Sequence, residues 1–417
     1  MPNRRSRPFW GLPLFALGLA ALACSVLGSP AATPTPAPAA SPAAQTTTAA
    51  PTAVSALTTP AGNATAASDA TAAGAATANT PAGVNLSGTG KAETPRLAFD
   101  AQGTLHLVWL DKSLRVGGDI LHRQTDANGE WSKAESLTSD FETLYGDLSL
   151  IRDGNGHICA VFAAAKADSD PATIGLYQRC QAGAVWSSAV RLTITQQTSI
   201  GLRGYSPARG ADGTVHAAYI ASVGTIYFDN VQLSSTDSTS SGPTLVIDKA
   251  GGYHVAWESL GDANSPSTIQ YRFSADQGQT WQAAQTLSTG QSVPNSVARL
   301  VADDEGNVNL LWGDSNVYYR RWTPAGGWGA PAALAGDQTG PNPALAVDAQ
   351  GLVRVVWEHW DGLPYVVQAV GGAWGAPRLI AHQASGEPQI VIDDGGATHV
   401  VWLANQDVYY LARPDFN

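Results

Sequence analysis

One short phrase constrains the fold more than any other feature of this chain. It is cleanest at Pro343–Trp357, which reads Pro-Ala-Leu-Ala-Val-Asp-Ala-Gln-Gly-Leu-Val-Arg-Val-Val-Trp. It returns in altered form at Pro95–Trp109, Leu148–Phe162, Tyr205–Tyr219, Pro243–Trp257, Ala298–Trp312 and Pro388–Trp402. Its glycine falls at Gly103, Gly156, Gly213, Gly251, Gly306, Gly351 and Gly396, giving spacings of 53, 57, 38, 55, 45 and 45 residues. Self-similarity at this period marks a radially repeated β architecture.

Within the phrase, Leu345-Ala346-Val347 reads as a short buried strand that stops at Asp348. The tetrad Asp348-Ala349-Gln350-Gly351 suits a tight turn with a left-handed glycine, and Val353–Trp357 is the returning strand. A third strand follows, rich in Tyr and Ile, as at Ile269–Arg272, Val317–Arg320 and Val408–Tyr410. A fourth opens at Trp131, Trp186, Trp281, Trp328 or Trp374. Four antiparallel strands make a propeller blade. The expectation is therefore an all-β, seven-bladed β-propeller over residues 83–417. The last repeat shows only three strands, and Val84–Ser87 has the character of the missing one. It is expected to complete the last blade and remove an exposed sheet edge.

The repeat also says which residues are scaffold. Trp109, Trp257, Trp312, Trp357 and Trp402 share one position with Phe162 and Tyr219, so they are expected to pack between blades, as are the fourth-strand tryptophans. His106, His216, His254 and His399 share another position. Symmetry spreads them around the ring, whereas a metal needs ligands converging within ~2.0–2.2 Å of one point. They are expected to hydrogen-bond between blades. No metal and no cofactor is implied.

Residues 1–24 read as an export signal, with Arg4, Arg5 and Arg7 ahead of the apolar run Phe9–Leu22. The run ends Ala21-Leu22-Ala23-Cys24, which resembles a bacterial lipobox and implies a lipidated Cys24. An ordinary cleaved signal with an incidental cysteine is the alternative. Residues 25–82 are Ala, Thr, Pro, Ser and Gly with almost no charge, a composition too poor in large apolar groups to fold. They are expected to be a flexible stalk spanning roughly 40 Å. Only 14% of residues are charged and the net charge is −11. That excludes nucleic acid and electrostatic docking on anionic lipid, both of which need clustered Lys or Arg. The expected location is outside the cytoplasm, with membrane attachment through the lipid alone, as a monomer. Cys159 and Cys180 lie on neighbouring strands of the second repeat, either disulfide-bonded or as two buried thiols.

Repeat four carries Ser274-Ala-Asp276-Gln-Gly278-Gln-Thr280-Trp281. This is the pattern of the Asp-box, and the chain here resembles the Asp-box (bacterial neuraminidase repeat) propellers of the sialidase superfamily. The resemblance implies a propeller in which Asp276 ties the hairpin between strands three and four, at the ring end away from the ligand. Sialidases of this superfamily hold a substrate carboxylate with three arginines and use a Tyr–Glu pair with an Asp. None of these transfers residue by residue. Arg96, in Pro95-Arg96-Leu97-Ala98, comes nearest to the family's first arginine. Arg299 occupies the same repeat position, and both are expected to be exposed and without a role.

Function is then sought where the repeat breaks. Glu358-His359-Trp360-Asp361 follows Trp357 directly, in the loop between strands two and three. Aromatics beside carboxylates suit sugars, whose apolar faces stack and whose hydroxyls donate. Asp111, Glu258 and Asp314 stand in equivalent loops, with Arg115 as the nearby cation. These residues are the expected ligand site for a glycan or a surface protein on a non-catalytic propeller. The alternative is an extracellular sialidase-like glycoside hydrolase or lyase.

Overall fold

The computed structural model describes residues 83–413, apart from 167–169, 171–172, 193–199, 222–223, 237–238, 262–265, 289–296, 314–315, 336–341, 360–364, 371 and 382–385. Side chains at 200–203, 335, 365–370 and 413 also lie outside the description. The expected signal, Cys24, the stalk, Asp314, Trp360 and Asp361 therefore fall outside the described residues. The chain divides into two units, Met1–Ala73 and Gly74–Asn417, and every strand below belongs to the second.

Why these residues form strands is plain in the first sheet. In Ala92–Phe99 buried Pro95 and Leu97 alternate with half-buried Thr94 and Arg96, the two-residue period of a pleated strand with unlike faces. The next strand, Leu105–Asp111, is buried along its whole length, as befits the centre of a sheet covered on both sides. Asp119–Gln124 and Glu135–Ser136 complete the order outward. Between the first two strands, Asp100 Oδ1 accepts the backbone N–H groups of Gln102 at 2.9 Å and Thr104 at 2.8 Å. Gly103 takes φ 79°, a conformation that costs glycine little and other residues more. Asp348 does the same for Gln350 and Leu352.

Among the described residues the strands pair into seven antiparallel sheets of four or five strands, and no helix is present. In chain order they cover 92–136, 143–191, 200–232, 240–286, 299–335, 344–379 and 386–413, referred to below as sheets 1 to 7. The architecture is a β-propeller with four-stranded antiparallel blades, extended in sheets 2, 5 and 6 by one extra short strand. Sheet 7 takes its outermost strand from the other end of the domain. Val84–Asn85 pairs with the strand Asp407–Arg413, Val84 opposite Tyr410 and Asn85 opposite Tyr409.

The core is not central but distributed. Seven apolar clusters each join two consecutive sheets, and the last joins sheet 7 to sheet 1 through Val401, Leu403 and Val408 against Leu97, Leu107 and Trp109. Each contains one of the repeated second-strand aromatics, and Trp109, Trp257, Trp312, Trp357 and Trp402 are 1–2% exposed. The fourth-strand tryptophans extend these contacts. Trp131, Trp328 and Trp374 each meet a third-strand tyrosine of the preceding sheet (Tyr410, Tyr271, Tyr319) at centroid distances of 4.9–5.0 Å. Trp322, which the repeat does not require, is also scaffold, against His254 and Phe273.

The histidines do not bond between blades as expected. His254 Nε2 meets Asp248 Oδ2 at 3.0 Å and its Nδ1 meets the Tyr271 hydroxyl at 2.7 Å, all three in sheet 4. His399 repeats this with Asp393 and Tyr410 in sheet 7. Bonding across sheets from this position is made instead by Arg354, which donates to the Gly396 carbonyl at 2.7 Å and to Thr398 Oγ1 at 2.9 Å. Sheet 1 places a second histidine where the tyrosine would be. Asp100, His106, His122 and Glu135 then form a chain at 3.3, 3.1 and 2.8 Å. In sheet 2 that position holds Cys159, directly opposite Cys180 in register, and the two are disulfide-bonded.

Candidate functional site

The first strand of every sheet runs along a central cavity of about 510 Å³. Because side chains alternate along a strand, one face of each first strand packs into the apolar clusters and the other looks into the cavity. Register defines levels within it. Arg96, Ser149, Ser206, Thr244, Arg299 and Gln389 pair with equivalent second-strand residues and form one level. Thr94, Asp147 and Glu387 stand two residues earlier, nearer the end that carries the loops between second and third strands. Ile151 and Val301, two residues further along, make the deeper lining apolar.

Two guanidinium groups and two carboxylates thus converge on one recess. Arg96 Nη1 lies 3.7 Å from Glu387 Oε2 and also donates to the Pro95 carbonyl at 2.9 Å. Burial and the charge of Arg96 draw the pKa of Arg299 down to about 10, with Glu387 and Asp147 opposing. Asp147 accepts the backbone N–H of Gly204 through Oδ2. The Tyr205 hydroxyl, buried below, donates to the Asp147 carbonyl at 2.6 Å, and burial holds its pKa well above the usual phenol value. Burial also raises Glu387, against the pull of Arg96 and Arg299. Glu358 is raised by burial and by the charge of Glu387. Its carboxylate lies over Gly386, where a Cβ would come within 3.4 Å of Oε2.

This arrangement departs from the expected site in three ways. Arg96 and Arg299 are neither exposed nor idle; they are half-buried in the cavity wall. Arg115 is not turned to a ligand. Its guanidinium donates to the carbonyls of Gly118 at 2.7 Å, Thr138 at 2.6 Å and Phe141, bracing the loop that carries it. Asp111 and Glu258 are buried by local partners. Asp111 accepts from Thr89 Oγ1 at 2.7 Å, Trp109 Nε1 at 3.1 Å and the Ser113 N–H at 2.9 Å. Glu258 accepts from Ser241 Oγ at 2.8 Å. Of the expected loop residues, Glu358 reaches the charged cluster, and His359 follows it half-buried.

Sequence reasoning passed over Arg96, Arg299, Asp147, Glu387 and Tyr205. The signal was available in the first-strand alternation, where one face demands Leu or Pro while the other accepts Arg, Ser, Thr or Gln. Such tolerance on an inner strand marks a face that does not pack. Among the described residues no group of three or more His, Cys, Asp or Glu is arranged to hold a metal.

The Ser274–Trp281 turn lies at the opposite end of sheet 4, beside Tyr253. Asp276 Oδ1 accepts from Ser274 Oγ and the Thr280 N–H, both at 2.8 Å, and Oδ2 accepts from Thr280 Oγ1 at 2.6 Å. These bonds from Thr280 and Ser274 draw the Asp276 carboxyl down to about 2. Trp281 Nε1 donates to the Gly278 carbonyl at 3.1 Å, closing the turn. The motif is fully occupied with holding the hairpin.

No protein-family model and no curated protein sequence matches the chain. Solved structures do resemble it. A Hadza microbial sialidase aligns with TM-score 0.50 and 14% identity, over 79% of this chain and 68% of that one. An α-L-arabinanase of Penicillium chrysogenum complexed with arabinobiose aligns with TM-score 0.49 and 14% identity, over 80% and 98%. The intramolecular trans-sialidase from Ruminococcus gnavus aligns with TM-score 0.44 and 10% identity, over 78% and 95%. At 14% identity the likeness to the sialidase is one of fold alone, a β-propeller.

Proposed function

We propose that this protein is an extracytoplasmic propeller that binds the acidic sugar of a glycan in its central cavity, without turning it over. The observation that carries the reading is the pairing of Arg96 and Arg299 at one level of a polar-walled recess. Two guanidinium groups suit a carboxylate, which accepts paired N–H bonds. The polar level of Ser149, Ser206, Thr244 and Gln389 suits hydroxyls, and Glu358 stands at the rim. In this reading the seven sheets are seven blades of one closed ring, and the Ser274–Trp281 turn is an Asp-box. The chain is attached to the bacterial membrane through a lipid on Cys24, with residues 25–82 as its stalk.

The test is calorimetric titration with glucuronate, galacturonate and N-acetylneuraminate against the neutral methyl glucoside. Saturable binding of a sugar acid is expected, weakened at least tenfold in Arg96→Met and in Arg299→Met. Binding that ignores both substitutions would sink the assignment. Mass analysis of the membrane-extracted protein should find an acylated Cys24 at the N-terminus, and an unmodified terminus elsewhere would remove the anchor.

One observation favours the enzymatic alternative, a glycoside hydrolase. Burial raises the pKa of Glu358 and of Glu387, the direction a general acid requires. Hydrolysis of fluorogenic glycosides, lost in Glu358→Gln or Glu387→Gln, would establish it.

A further inference from the structure

The cavity holds its own anion where the proposed ligand's carboxylate belongs. We infer that Glu387 is an internal competitor for Arg96, so that a ligand carboxylate enters only when Glu387 is protonated or turned aside. This rests on the reading of the cavity as an acidic-sugar site and adds its regulation.

Three features of Glu387 support the role. Its Oε2 stands 3.7 Å from Arg96 Nη1, longer than a direct charge-assisted hydrogen bond. The pair is therefore an occupant that can be displaced rather than a locked strut. Its backbone is left-handed at φ 50°, following Gly386 at φ 140°, where the pairing of the strand Gly386–Ile392 with its neighbour shifts register. Thr94 takes φ 47° at the equivalent position of sheet 1, so the bend belongs to the repeat. The bulge thus fixes Glu387 in the cavity wall, as it does Thr94. Finally, its surroundings are divided. Arg96 and Arg299 favour the carboxylate, while Asp147, Glu93 and the adjacent Glu358 oppose it. The strand Ala344–Val347 on its other flank carries no ionisable side chain.

Protonation of Glu387 removes the competitor and leaves both guanidinium groups for the ligand, whose carboxylate stays ionised at mildly acid pH. Affinity for a sugar acid should therefore rise as pH falls from 8 to 5, by up to tenfold per unit on the alkaline side of the Glu387 pKa. Glu387→Gln keeps the size and removes the charge. Titration of the full chain and this variant with the three sugar acids between pH 5 and 8 is the experiment. Expected are a rising wild-type affinity at low pH, and a variant that binds more tightly at pH 8 with the slope abolished. A flat wild-type profile, or a variant that binds no more tightly, overturns the competitor while leaving the binding site intact. Weaker binding in the variant would show instead that Glu387 orients Arg96, and also overturns it. Absence of binding in both proteins at every pH removes the acidic-sugar reading and this inference together.

Discussion

Asp407 offers the sharpest test of how the ring is fastened. It ends the tight turn between the last two strands of the chain, where Asn405 and Gln406 take φ 52° and 59°. From there it accepts hydrogen bonds from Asn85 Nδ2 at 3.0 Å, Ser87 Oγ at 2.8 Å, the Thr89 N–H at 2.8 Å and the Gly90 N–H at 2.7 Å. One carboxylate thus holds the whole segment that leads from the closing strand into sheet 1. The strand itself has only two residue pairs, so its register cannot be the main fastening. Asp407→Ala removes four charge-assisted bonds, two of them to exposed donors that water can take over. With about 1.5 kcal/mol for each of the two less exposed bonds, the loss is about 3 kcal/mol. A domain of ~330 residues has an unfolding entropy of about 0.7 kcal/mol/K, so Tm should fall by about 4 °C. Calorimetry measures that, and hydrogen exchange locates it at the Leu86 N–H, which bonds the Val408 carbonyl at 2.8 Å. Burial pushes the Asp407 pKa up, but the N–H groups of Gly90 and Thr89 with Asn85 and Ser87 outweigh it, and the value is depressed. A depressed carboxylate stabilises above its unfolded pKa of about 4 and loses that contribution as pH falls through the folded value. The gap between wild type and Asp407→Ala should therefore narrow in acid. An unchanged Tm together with unchanged exchange at Leu86 would refute the fastening.

Three further outcomes follow from the packing. Trp312→Ala empties a fully buried site between sheets 4 and 5 and should cost about 3–5 kcal/mol, read as a lower calorimetric Tm; a loss under 1 kcal/mol would mean the cluster collapses around the gap. Reducing the Cys159–Cys180 bond, which closes a loop of sequence separation 21, should cost about 3 kcal/mol, visible as a lower Tm in dithiothreitol and absent in a Cys159→Ala, Cys180→Ala double variant. His122 is drawn down to about 4 by burial and by the neighbouring His106, with Glu135 opposing. The unfolded chain binds its proton near pH 6.5 and the folded chain does not, so stability should fall as pH drops from 6.5 to 4. An NMR titration of the His122 ring showing a midpoint near 6.5 would contradict this.

The scaffold was legible because symmetry writes it repeatedly. The Asp348–Gly351 turn, the buried Trp357 position and the opening Trp374 each recur, so a reading at one site is checked at others. Even the closing strand at Val84 could be found by its likeness to Gln285–Ser288. The histidine partners were not legible, since Asp248 and Tyr271 converge on His254 only after the sheet is built. The cavity was misread for a related reason. Its chemistry sits on positions such as Arg96 and Arg299 that belong to the repeat, whereas attention went to Glu358–Asp361, which breaks it. A regular position and a place in the cavity wall are compatible, because a radial repeat turns one face of every unit toward a common axis. Arg115 was read as the loop's cation, whereas its guanidinium is engaged by neighbouring carbonyls and by Asp119 at 3.7 Å.

The closing strand also sets an order of events. Val84 and Asn85 are made before any sheet exists, yet their partners Tyr410 and Tyr409 follow only after the strands of sheets 1 to 6. Sheets 1 to 6 can form in sequence as the chain emerges, each stacking on its predecessor. Sheet 7 cannot be finished until Asp407–Arg413 has been made, and until then Val84 and Asn85 lack their strand partner. A nascent chain stalled before Gly386 would present an unfinished ring with two exposed faces, those of sheets 1 and 6 that pack against sheet 7. Protease sensitivity of residues 83–91 in nascent chains of increasing length should therefore persist until Asp407–Arg413 has emerged and then vanish in one step.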